Sequence, residues 1–109
     1  MNDYGVRTTV LEKETYPYHE YPFLHQTGIF NVTLKDKVWG KSVNIICAFE
    51  ADNGLKFSIS IFRRKRDEKY APGSSAIDFA LEPLGTKFIC TFVKTTSGFY
   101  KMSDAEYLI

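Results

Sequence analysis

Residues 43–62 read VNIICAFEADNGLKFSISIF, two alternating apolar runs on either side of Asp52-Asn53-Gly54. Successive side chains of a strand point to opposite faces. Val43, Ile45, Cys47 and Phe49 therefore share a face of the first run, and Leu55, Phe57, Ile59 and Ile61 share a face of the second. A two-residue Asn53-Gly54 turn would pair Phe49 with Ser58 and Cys47 with Ser60, setting apolar side chains against hydroxyls. A three-residue Asp52-Asn53-Gly54 loop, a type I turn with Gly54 left-handed in a bulge, instead pairs Phe49 with Phe57, Cys47 with Ile59 and Ile45 with Ile61. It also sets Glu50 across from Lys56, a favourable opposite-charge pair. The second register is the expected one.

Working outward, Val6 to Lys13 reads as a first strand, with β-branched Thr8 and Val10. Thr15 to His25 reads as extended loop, because Pro17 and Pro22 remove ladder donors and bias the residues before them away from helix. Ile29 to Leu34 is a strand with Phe30, Val32 and Leu34 on one face, closed by Lys35-Asp36-Lys37. After Phe62 the pattern breaks into the longest polar connection of the chain, through Ser75, where mobility is expected. Ala76 to Glu82 reads as a short helix or turn, with an edge strand as the alternative. Thr86 to Lys94 is apolar on both faces, as a central strand is. Ser97-Gly98 turns it into Phe99 to Met102, and Ser103 with Glu106 three residues on forms a capping pattern for a last turn of helix. The expected fold is mainly β: one domain spanning residues 1–109, a small antiparallel barrel or curled sheet of about six strands, OB-like or SH3-like.

Nine Phe, seven Tyr and one Trp in 109 residues favour such a fold, and the chain is long enough to build a core without disulfides or metal. Fourteen Lys and Arg nearly cancel thirteen Asp and Glu, leaving a formal charge of +1, so no global field draws the chain to nucleic acid or an anionic membrane. The start, Met-Asn-Asp-Tyr-Gly, lacks a basic region followed by an apolar core, and no apolar run approaches membrane-spanning length. A cytoplasmic location is expected. Cys47 and Cys90 lack the close spacing of a redox or zinc pair and read as buried thiols. The Asn31-Val32-Thr33 sequon then reads as chance.

Two stretches are candidate binding sites, each with a plainer reading beside it. Tyr16-Pro17-Tyr18-His19-Glu20-Tyr21-Pro22-Phe23 stiffens four rings, Tyr16, Tyr18, Tyr21 and Phe23, which can anchor a protein interface. The plainer reading is a loop that buries its own rings. Arg63, Arg64, Lys65 and Arg66 leave a strand beside aromatics, as where a barrel tracks a phosphate backbone and stacks bases. The plainer reading is a solvated loop partly neutralised by Asp67 and Glu68.

Signals for catalysis are weak. His19 and His25 lie six apart, which matches no compact ligand pair, no serine sits in a nucleophile elbow, and no glycine-rich loop precedes a helix. The sequence therefore points to a non-catalytic binding module without cofactor or metal, with a protein partner. The alternative is a single-stranded nucleic-acid-binding barrel. Homodimer formation through a sheet edge is compatible with both.

Overall fold

A computed structural model describes residues 16–109 of the chain. It contains β1 (Gly28–Trp39), β2 (Asn44–Ala51), β3 (Lys56–Phe62), β4 (Lys87–Lys94) and β5 (Tyr100–Tyr107), and no helix among the described residues. All neighbours are antiparallel in one sheet of order β3-β2-β1-β4-β5. The expected first strand, Val6 to Lys13, lies outside the described residues.

The β2–β3 hairpin has the expected register: Phe49 faces Phe57, Cys47 faces Ile59, Ile45 faces Ile61 and Glu50 faces Lys56. The loop closes by a hydrogen bond from the Gly54 N–H to the Ala51 carbonyl at 2.9 Å, and the Ala51 N–H donates to Leu55 at 2.8 Å. Gly54 has φ +92°, a conformation in which any other side chain is strained.

Strand β1 departs from its expected limits. Lys35-Asp36-Lys37 does not close it; a bulge between Leu34 and Asp36 lets the strand run on to Trp39. One inserted residue inverts the alternation. Upstream, Val32 and Leu34 face the core; downstream Lys37 faces it opposite Cys47, and Val38 turns to the other side. Residues 28–33 of β1 pair with β4 and residues 32–39 with β2, and β3 and β5, at opposite ends of the strand order, come into contact, so the sheet curls.

The concave face holds the main core. Its centre is a cluster of phenylalanines, with Phe57 and Phe92 edge-to-face at 5.2 Å and Phe79 against Phe88 at 4.9 Å. Such ring pairs add to the burial of their area. Phe79 comes from the connection between β3 and β4, where residues 76–82 form turns rather than a helix. That polar connection is held by fixed contacts: the Asp78 carboxylate accepts from the Tyr70 and Ala80 N–H groups, and Ala71 and Ile77 are buried. The expected final turn of helix is instead part of β5. Ala105 pairs with Cys90 and is buried there, so a long-range ladder overrides the local capping pattern of Ser103 and Glu106.

The sheet does not close into an OB-like or SH3-like barrel, because irregular segments cover much of the outer edges of β3 and β5. Ser58 of β3 donates its N–H to the Pro22 carbonyl at 2.8 Å and accepts from the Leu24 N–H at 3.0 Å. On β5, the Ser75 hydroxyl donates to the Ala105 carbonyl at 2.9 Å, and Gly73 lies against the Ser103 carbonyl. Covering an edge in this way satisfies its backbone and blocks unwanted pairing.

Candidate functional site

The Tyr16 to Phe23 segment divides its four rings between two roles. Pro17 starts a tight turn in which its carbonyl accepts from the Glu20 and Tyr21 N–H groups, both at 3.1 Å. This folds Tyr16 and Tyr21 down onto Val38, Ile46 and Ala48 on the convex face of the sheet, where they are 4 % and 5 % exposed. The Ser58 hydroxyl donates to the Tyr21 carbonyl at 2.6 Å, so its single proton is spent and the Tyr16 hydroxyl donates to Ser58 Oγ at 2.5 Å. Burial raises the Tyr16 phenol well above its ordinary range, which keeps that donor protonated. For Tyr16 and Tyr21 the plainer reading holds. Tyr18 and Phe23 remain exposed, Tyr18 against the Tyr16 ring at 4.6 Å.

Phe23 lines a cleft of about 630 Å3 between β3 and the β4–β5 turn. Its walls are Phe23, Leu24, Ile59, Phe62, Phe99 and Tyr100, and its polar lining includes His25, Ser60 and Lys101. The cleft opens where the edge coverings end. Since Ser58 presents its N–H and carbonyl outward, strand alternation turns those of Ser60 and Phe62 outward too, and neither finds a partner there among the described residues. Phe62 and Phe99 flank the opening at 58 % and 71 % exposure. A second, shallower groove shares Phe23 and Phe62 and adds Tyr18, Lys41 and Ile46. Among the described residues, exposed rings and an unpaired strand edge are thus contiguous, a combination that marks binding surfaces.

The basic run is broken up by the fold. Arg64 forms a bidentate pair with Asp67 at 3.1 and 2.5 Å and donates to the Gly73 carbonyl at 2.7 Å. Its guanidinium is a structural clamp for the turn and not free for phosphate. Desolvation by the surrounding turn works against the Asp67 carboxylate, but the Lys69 N–H and Arg64 together hold it below its usual range. Arg63, Lys65 and Arg66 are exposed around that turn. Phe62 meets Tyr18 and Phe23 in the shared groove; the four basic residues do not line it.

Burial pushes the Cys47 thiol up to about 12 and the Cys90 thiol higher still, which leaves both without nucleophilic thiolate. His25 packs edge-on against Tyr100 at 5.8 Å. Among the described residues no three His, Cys, Asp or Glu side chains gather as a metal site.

Sequence reasoning missed Phe99 and Lys101 as site residues, and the cleft that joins them to Phe62. The available signal was local: Phe99 follows Gly98 at a turn, where a large apolar residue has no strand neighbour to cover it. Comparison with protein-family models, with curated proteins and with solved structures finds no match for this chain.

Proposed function

We propose that this protein is a non-catalytic binding module that takes an extended segment of a protein partner into the cleft between β3 and β5. The observation that carries this reading is the coincidence of the uncovered part of the β3 edge, at Ser60 and Phe62, with the apolar cleft flanked by exposed Phe62 and Phe99. An added strand would satisfy the outward N–H and carbonyl groups of Ser60 and Phe62, while its alternate side chains enter the cleft. Phe23, Phe62 and Phe99 would serve as aromatic anchors, the residue type that dominates interface energies. The partner strand would also supply the closure that gives the sheet a barrel-like form.

The test is selection of displayed random decapeptides on the immobilised full chain, followed by amide-shift mapping of a synthetic winner. Binding that shifts the Ser60 and Phe62 amides and is lost in F62S/F99S supports the reading. Winners that bind that double variant equally well would overturn it. Both rings are exposed, so the variant is expected to unfold within about 0.5 kcal/mol of the parent chain.

A second reading, a single-stranded nucleic-acid binder, draws on the grouping of Tyr18, Phe23 and Phe62 with Lys41 in one groove. Base stacking on such rings needs backbone cations beside them. Titration of labelled oligo(dT) at low and high salt tests it: tight binding that weakens steeply with salt supports it, and no binding at low salt removes it.

A further inference from the structure

Resting on the docking reading above, we infer that the segment taken by the β3–β5 cleft is acidic, with a carboxylate at the end that meets β5. The charge distribution around the cleft carries this. Chain-wide, cations and carboxylates are nearly equal in number. Among the described residues, the two grooves that share Phe23 and Phe62 are nonetheless lined by the cations Lys41 and Lys101 and by no Asp or Glu. Lys94 adds a further cation, its Nζ lying 5.5 Å from the centre of the Tyr100 ring that forms one wall.

Three cations elsewhere on the described surface have carboxylate partners. Lys35 pairs with Glu50, Lys56 with Glu20 and Arg64 with Asp67. Lys94 and Lys101 form no ion pair with the described residues, and both are exposed beside the cleft wall. Beside a largely apolar cleft their field favours a ligand that brings negative charge. A peptide strand fits better than a polyphosphate backbone. The walls are apolar side chains, and the open β3 edge offers alternating N–H and carbonyl groups that match another peptide.

The same peptide selection decides the matter, read now for composition. Winners that alternate apolar residues and carry Asp or Glu toward one end are the expected result. For a synthetic winner, K94E/K101E should weaken binding roughly tenfold at low salt, with the gap narrowing at high salt. K94Q/K101Q should fall between the two, and it guards against a charge reversal that perturbs the strand; thermal unfolding followed by circular dichroism confirms that each variant is folded. Winners that need Phe62 and Phe99 but show no acidic enrichment, and bind K94E/K101E equally, overturn the charge inference and leave the docking reading standing. Winners indifferent to F62S/F99S overturn both. Salt-sensitive binding of oligo(dT) that depends on Phe62 and Phe99 overturns both in favour of a nucleic-acid strand.

Discussion

The Nζ of Lys37, fully buried beneath β1, donates a 2.7 Å hydrogen bond to the carbonyl of Glu82, forty-five residues further along the chain. The same ammonium reaches the Ala80 carbonyl at 2.9 Å and the Phe79 carbonyl at 3.2 Å. A turn with inward-pointing carbonyls would be costly in an apolar core, and the lysine satisfies three of them at once. Phe79 is thereby fixed against Phe49 and Phe88, so one polar contact positions an aromatic plug of the core.

Replacing Lys37 by Met keeps an apolar stem and removes the donor. The carbonyls of residues 79, 80 and 82 lose their shared partner, and a loss of about 2 to 4 kcal/mol is expected. Urea unfolding measures it. A loss below about 0.5 kcal/mol would show that the turn is held by other contacts.

The Tyr16–Ser58–Tyr21 relay should behave as a unit. Tyr16→Phe removes one donor and is expected to cost about 1 kcal/mol. Ser58→Ala leaves both the Tyr16 hydroxyl and the Tyr21 carbonyl unsatisfied and should cost about 2 to 3 kcal/mol. The double variant should lose less than the sum, since the second change removes a group the first had already orphaned. Equilibrium unfolding of all three gives the coupling energy.

Gly73 has φ +51°, and a Cβ there would stand 2.3 Å from the Ser103 carbonyl oxygen. That oxygen belongs to the backbone of β5 and has little room to yield. Gly73→Ala should therefore cost about 2 to 4 kcal/mol, from the clash together with the strained dihedral. Faster hydrogen exchange of β5 amides near Ser103 would accompany it.

Alkaline pH should destabilise the fold through its thiols. An unfolded cysteine ionises near 9.0, whereas burial holds Cys47 protonated up to about 12 and Cys90 beyond that. Above the unfolded value the unfolded chain binds fewer protons than the folded one. The stabilisation is thus fully present below about 9 and is lost as pH rises toward the folded values, at about 1.4 kcal/mol per pH unit per thiol. Urea midpoints in reductant at about pH 8 and about pH 10 measure the slope. C47A/C90A should flatten it relative to the parent chain, and an unchanged slope would assign the effect to other groups.

The β2–β3 register was legible because its determinants are local: alternation over two adjacent runs and a turn that admits Gly54 at positive φ. The mainly β character followed from composition and spacing in the same way. Strand ends were less legible. The continuation of β1 through Lys35-Asp36-Lys37 depends on β2 lying alongside to pair with it, and no property of three charged residues announces a bulge.

For the candidate site, the sequence marked the aromatic segment but not the fate of each ring. Tyr16 and Tyr21 are buried because Val38, Ile46, Ala48 and Ser58 present a surface to them, while Phe23 is exposed because the chain crosses the β3 edge at that residue. Arg64 left the basic set once Asp67 and Gly73 came within its reach.

By itself, then, the sequence determined the alternating strands, the tight hairpin and the aromatic content, all consequences of nearest-neighbour geometry. Tertiary structure alone decided that Lys37 points inward, that Tyr16 and Tyr21 are buried, and that irregular segments cover the β3 edge at Ser58 and the β5 edge at Ala105 while Ser60 and Phe62 meet the cleft. Those outcomes depend on which distant segment packs against each face, and contacts of that kind leave no periodic trace in the chain.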